Sequence, residues 1–165
     1  MLELKPLSKD AIEPALAKAE RYRLLNEPLE AESICLDVLA IDPGNQPAQI
    51  VMLLALTDQF GDASGAAARA EQLASGLTGE YDRLYYSGIV AERRARTLLT
   101  RGGVATTDAY EWFMDALDCF ERAERVRPAG NDDAILRWNA CVRALGRNPQ
   151  LAPSRQVREE PQFLE

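Results

Sequence analysis

Along most of the chain, apolar side chains return every three or four positions, the spacing that gathers them on one face of a helix. β-Branched residues are scattered and strict alternation is never sustained, so no strand is expected. Ile12, Ala15, Leu16, Ala19 and Tyr22 make the first stripe. Asp10 and Glu13 are spaced as a capping box at its start, and Pro14 falls in the first turn, where a missing N–H is harmless. Asn26-Glu27-Pro28 stops that helix. Leu29, Ile34, Cys35, Val38 and Leu39 form a second stripe ending at Asp42-Pro43-Gly44-Asn45, and so short a connection makes the first two helices antiparallel neighbours. A third helix is predicted from about Pro47 to Phe60, broken by Gly61-Asp62, and an alanine-rich fourth from about Ser64 to Ser75. A long fifth runs from Glu80 to about Thr100, closed by Gly102-Gly103. Asp108 with Glu111 opens a sixth that reaches Pro128, and Asn131 caps a seventh from Asp132 to about Leu145.

The predicted class is therefore all-α, with about seven helices, and a spacing recurs inside it. Ala31, Cys35, Val38 and Pro43 lie 4, 3 and 5 apart; Ala116, Phe120, Ala123 and Pro128 repeat that spacing, and Ala67, Glu71, Ala74, Gly79 is a degenerate third copy. Small residues at fixed intervals let stacked helical hairpins approach closely. The segment 22–45, YRLLNEPLEAESICLDVLAIDPGN, resembles the second half of a tetratricopeptide repeat, and Ile12–Asn45 fits that family's 34-residue unit without a gap. ERAERVRPAGN at 121–131 is similar to the repeat ending, and ILRWNACVRAL at 135–145 resembles the first helix of a further unit. The resemblance implies a right-handed stack of antiparallel helical hairpins, an α-solenoid, over residues 11–146, preceded by a lead-in (1–10) and followed by an extended or disordered tail (147–165). An insertion near Gly61–Gly65 and a long hairpin around Arg101–Thr107 depart from the strict repeat, and solenoids with longer hairpins fit the same pattern.

In tetratricopeptide proteins the first helix of each unit lines a concave face that binds a peptide or helix of a partner. Carried over by position, that face comprises Leu16, Glu20 and Arg23, then Ile50 and Leu54, then Tyr85, Ile89 and Arg93, and Trp138 and Val142 on the last helix. It is apolar and aromatic with a few charges, the kind of surface that serves as a partner site; burial between helices is the ordinary alternative for each of its Leu, Ile and Trp residues. The resemblance thus implies an adaptor or scaffold, or a homodimer using the same surface. Leu16 and Glu20 stand where a clamp for a peptide carboxylate would need polar donors, so no such clamp is expected. Arg93, Arg94 and Arg96 could meet an acidic partner or pair with Glu92 and acids one turn away. In the tail, Phe163 and Leu164 form a terminal apolar pair able to dock on the groove or on a neighbouring copy.

Composition narrows the chemistry. Of 165 residues 47% are apolar and 27% charged, as in an ordinary folded domain, and the net charge of −7 disfavours nucleic acid. No apolar run is long enough to span a bilayer and Met1–Asp10 lacks a secretory pattern, so a cytoplasmic protein is expected. Cys35, Cys119 and Cys141 form no C-x-x-C pair, and histidine is absent, which removes the commonest general base and metal ligand. Asp58, Asp62, Asp132 and Asp133 lack the spacing of a calcium loop. Neither catalysis nor a metal nor another cofactor is expected. The repeat register makes a direct prediction: Ala116→Leu should overpack its helix contact and cost ~1–3 kcal/mol in urea unfolding, and an unchanged midpoint would place Ala116 off the packing face.

Overall fold

The computed structural model of the chain describes residues 2–61, 65–102 and 105–151. Among these there are seven α-helices and no strand: α1 (Ile12–Leu24), α2 (Pro28–Ile41), α3 (Gln46–Thr57), α4 (Ala66–Gly76), α5 (Glu80–Arg101), α6 (Ala105–Arg125) and α7 (Asp133–Arg147). None is long and apolar enough to cross a membrane. Each helix packs on its sequence neighbours, and in addition α1 meets α3 and α3 meets α5.

Local chemistry sets the boundaries. The Asp10–Glu13 capping box does not form; a 3-10 turn, Lys9–Ala11, leads into α1, whose N-cap is Ala11 with no side-chain bond. α1 ends in a Schellman motif: Asn26 adopts φ 60°, its N–H reaches Arg23 O at 3.0 Å, and Glu27 N–H reaches Tyr22 O at 2.9 Å. Asn45 caps α3 by accepting from Ala48 N–H at 2.9 Å, with Gln46 rather than Pro47 as the first helical residue. α6 begins three residues before Asp108, which therefore sits in its first turn instead of capping it. Asn131 Oδ1 accepts from Asp133 N–H at 3.0 Å and so serves the start of α7 from just outside it.

Two apolar clusters fill the interior. The first gathers Ala19, Ala31, Cys35, Leu53, Leu56, Ala66, Ala70 and Val90 from α1 to α5. The second gathers Ile89, Ala95, Phe113, Ala116, Phe120, Cys141 and Leu151 from α5 to the chain beyond α7. Leu54 and Tyr86 pack against both. Ala31, Cys35 and Val38, and likewise Ala116, Phe120 and Ala123, are all fully buried, so the recurring 4-and-3 spacing marks close-packing positions in both places. The third copy holds only in part: Ala74 is buried, but the positions packed before it are Ala66 and Ala70, whereas Ala67 is only half-buried and Glu71 is exposed. The described chain stays packed past residue 147. Arg147 closes α7, Leu151 N–H bonds to Asn148 O at 2.9 Å, and Leu151 is buried in the second cluster. Phe163 and Leu164 lie outside the described residues.

Polar side chains then fix how the helices sit. Gln46 at the start of α3 donates to Asp82 Oδ2 at 2.7 Å and Thr78 O at 3.2 Å, and accepts from Thr78 N–H at 2.6 Å, holding α3 to the entry of α5. α5 and α6 approach closely at Gly88, where an added Cβ would stand 2.6 Å from Phe120 Cε1. Glycine in a helix interior normally costs about 1 kcal/mol relative to alanine. Here the fully buried ring has no room to retreat, and the sign reverses. Gly88→Ala is expected to destabilise by ~1–3 kcal/mol in urea unfolding, with a less than additive loss when combined with Phe120→Leu. A stabilised Gly88→Ala variant would contradict the close approach.

Candidate functional site

The residues singled out from the sequence as one face come from α1, α3, α5 and α7, and the structure places them unequally. Glu20 is exposed; Leu16, Ile50 and Leu54 are half-buried, with Leu16 and Leu54 packed on the first cluster. Ile89 must be corrected: at 1% exposure it is a core residue, covered as α5 packs in the second cluster, and no partner reaches it. Tyr85 is partly buried and contributes its ring to that cluster, whereas Trp138 and Val142 keep 38% and 40% exposure.

Arg23 and Arg93, 70 positions apart in the chain, converge on one carboxylate that the sequence reading had considered only as a possible metal ligand. Asp58 caps the C-terminus of α3, where the helix dipole is unfavourable to an anion. Arg23 Nε, in the last turn of α1, stands 2.9 Å from Asp58 Oδ2, and Arg93 Nη1 of α5 stands 3.5 Å from Oδ1. Both oxygens are thereby engaged and three helices are tied at one point. With two guanidinium groups to one carboxylate, this knot carries a net positive charge.

The rest of the basic cluster is paired too. Arg94 forms an ion pair with Glu71 of α4 and lies 3.9 Å over the Trp112 ring of α6. Arg96 Nη2 is 2.8 Å from Glu92 Oε1 one turn away, and Arg137 Nη1 of α7 is 3.6 Å from Glu92 Oε2. Glu92 is 1% exposed, and Oε2 lacks a hydrogen-bond donor among the described residues. Arg93 and Arg94 therefore cross-link helices and Arg96 pairs within α5, so the three do not form a free basic patch. A second buried carboxylate, Glu32 of α2, accepts from Gln59 Nε2 at 2.8 Å and pairs with Arg69 of α4.

At the N-terminal end of α5 the aromatics form a shelf. Tyr81 and Tyr85 stack at 5.6 Å, Tyr85 meets Tyr86 edge-on at 5.1 Å, and Tyr85 also contacts Phe120 at 5.9 Å. Tyr81 Oη donates to Asn131 Oδ1 at 3.3 Å, joining the shelf to the approach of α7. Burial pushes the Tyr86 phenol up to about 12, with Tyr85 adding to it, and raises Tyr81 in the same way, so both stay neutral hydrogen-bonding groups at physiological pH.

Burial likewise pushes the Cys35 and Cys141 thiols up to about 12, and raises Cys119, where Asp118 adds to the effect. All three are free, and a thiol held protonated at neutral pH is a poor nucleophile. Asp132 faces Arg127 at 3.5 Å, and Asp62 lies outside the described residues.

No family model matches this chain, and no curated protein and no solved structure shows significant similarity to it.

The three-helix knot has a measurable energy. Asp58→Asn keeps the shape but leaves two half-buried guanidinium groups without their anion. The loss expected in urea unfolding is about 1–2 kcal/mol, between that of an exposed and a buried pair. A double-mutant cycle with Arg23→Gln should return a coupling of at least ~0.5 kcal/mol; additive losses would mean that the two groups are merely adjacent.

Proposed function

We propose that the chain is a protein-interaction module, an adaptor or scaffold that takes a peptide or helix of another protein on the face shared by α1, α3, α5 and α7. One observation carries the proposal. Nine of the ten positions that the repeat resemblance assigns to the inner face, Leu16, Glu20, Arg23, Ile50, Leu54, Tyr85, Arg93, Trp138 and Val142, retain exposure, Ile89 being the exception, while those assigned to close packing in α2 and α6 are fully buried. The split between a packed side and an accessible side is what a binding scaffold needs. Tyr85, Trp138, Arg23 and Arg93 supply that accessible side with the residue types that most often anchor interfaces.

The finer architecture belongs to the same proposal. Contacts of α1 with α3 and of α3 with α5, beside those between successive helices, support a tetratricopeptide-type α-solenoid in which alternate helices form the inner layer. A binding role in place of catalysis is supported by the absence of histidine and by thiols held protonated. Three free cysteines fit a reducing, cytoplasmic setting.

Trp138→Ala is the cleanest probe of the inner face, because its side chain is exposed and its loss leaves both clusters filled. Once a partner has been identified by affinity purification and mass spectrometry, calorimetric titration should show Trp138→Ala weakening binding by ~2 kcal/mol or more at unchanged helical circular dichroism. Tyr85→Ala should weaken it further while also lowering stability, since Tyr85 contacts Phe120. Undiminished affinity in the folded Trp138→Ala variant would remove the inner face as the site.

A further inference from the structure

The turn between α1 and α2 exposes more apolar surface than any stretch of similar length in the helical body. Leu24 is 88% exposed, Leu25 61% and Leu29 67%, all within six residues. Their exposure is built in. The Schellman motif locks Asn26 at φ 60° with two backbone hydrogen bonds, so the turn is a rigid reversal and not a loose loop whose leucines could fold inward. Beside the leucines lies a recess of about 470 Å³, walled by Asn26 to Glu30 on one side and by Asp58 and Gln59 on the other. Its lining holds three carboxylates, Glu27, Glu30 and Asp58, and one large apolar side chain, Leu29.

The charges on that lining differ in availability. Both oxygens of Asp58 are held by Arg23 and Arg93, whereas among the described residues neither Glu27 nor Glu30 has an ion-pair partner. Three exposed leucines flanked by two unpaired carboxylates complement a surface of opposite charge and matching apolarity. We infer that the α1–α2 turn is a second docking surface, separate from the inner face, and that its occupant is a basic amphipathic helix of a partner protein. The helix lays apolar side chains on Leu24, Leu25 and Leu29 and sets Lys or Arg against Glu27 and Glu30. A second copy of this chain is a poor occupant, since each copy carries a net charge of −7 and like charges repel. An anionic lipid surface is opposed by the same two glutamates. The helix-in-groove mode matches what is present, as the described residues offer no sheet edge to extend.

The probe is a short synthetic amphipathic helix of leucine and lysine, with a leucine–glutamate helix of the same pattern as control, titrated into the full chain by fluorescence anisotropy at moderate salt. The lysine helix should bind and the glutamate helix should not. Leu24→Ser/Leu25→Ser/Leu29→Ser should lower the affinity by about tenfold or more, and Glu27→Lys/Glu30→Lys by a similar factor, with circular dichroism unchanged because all five side chains are exposed. Trp138→Ala should leave the lysine helix bound as before, which keeps this surface distinguishable from the inner face. The inference is overturned if the wild-type chain does not bind the lysine helix, if either turn variant binds it undiminished, or if Trp138→Ala abolishes binding. Sedimentation supplies the last arm: a wild-type dimer that the leucine variant dissociates would make a second copy the occupant and overturn the assignment to a basic partner.

Discussion

The Phe120 ring packed against the bare Cα of Gly88 is the contact on which the rest of the structure depends. It brings α5 and α6 close enough to exclude even a methyl group between them, and so fixes the position of α5. α5 is the shared wall of the protein. Adjacent residues on it serve different clusters, Val90 the first and Ile89 the second, and Tyr86 with Leu54 touches both. A shift of α5 by a fraction of a turn would therefore unpack two cores together. Apolar burial supplies most of the driving force but has no direction of its own. The glycine–phenylalanine contact adds the geometric exclusion that burial lacks.

Direction also comes from three carboxylates set between helices. Glu32 ties α2 to α4, Asp58 ties α1 and α5 to the end of α3, and Glu92 ties α5 to α7 through Arg137. Taking a carboxylate out of water is expensive, and pairing it with guanidinium groups recovers that cost only in part, so such groups add little net stability beyond what apolar residues of equal volume would give. They do penalise every wrong arrangement, because a shifted helix strands a buried charge. Glu92 is the extreme case, almost fully buried and satisfied on one oxygen by hydrogen bonding and on the other by the charge of Arg137 alone. Ionic contacts at Glu32, Asp58 and Glu92 in this way tie helices together, while α2 and α6 also pack through small residues in close contact.

Much of this was legible in the sequence where side-chain size varied along a helix, and illegible where it did not. Ala31, Cys35 and Val38, with Ala116, Phe120 and Ala123, alternate small and bulky residues, so only one face of each helix can take the close contact. In α4 the run Ala66-Ala67-Ala68 gives no such contrast, so neighbouring alanines look alike as packing positions, and the structure buries Ala66 and Ala70 in place of Ala67 and Glu71. Ile89 was misplaced because an i, i+4, i+8 stripe with Tyr85 and Arg93 names a face of α5 without saying how far along it the cover from α6 and α7 extends. Asp58 escaped as a hub because its partners are 35 residues before and 35 residues after it, and no local pattern records such a meeting. Glu92 was foreseen as a partner for the arginines, since an i, i+4 pair is local.

Asp58 also links the two accessible surfaces. It lines the recess under the α1–α2 turn, and the same carboxylate holds Arg23 and Arg93, both assigned to the proposed binding face. A cation entering the recess therefore meets Asp58 already neutralised, and would have to displace a guanidinium that makes a 2.9 Å contact from Nε in a half-buried setting. Glu27 and Glu30, exposed and unpaired, offer an anion at no such cost. The charge that an occupant of the turn senses is accordingly set by the two glutamates, and the knot stays intact beneath it. Conversely, an acidic group approaching the inner face would find Arg23 and Arg93 oriented by Asp58, two cations against one anion, so the positive excess is fixed in place before anything binds. The recess presents negative charge and the inner knot presents positive charge, a few side chains apart, and Asp58 keeps them separate by engaging both arginines at once.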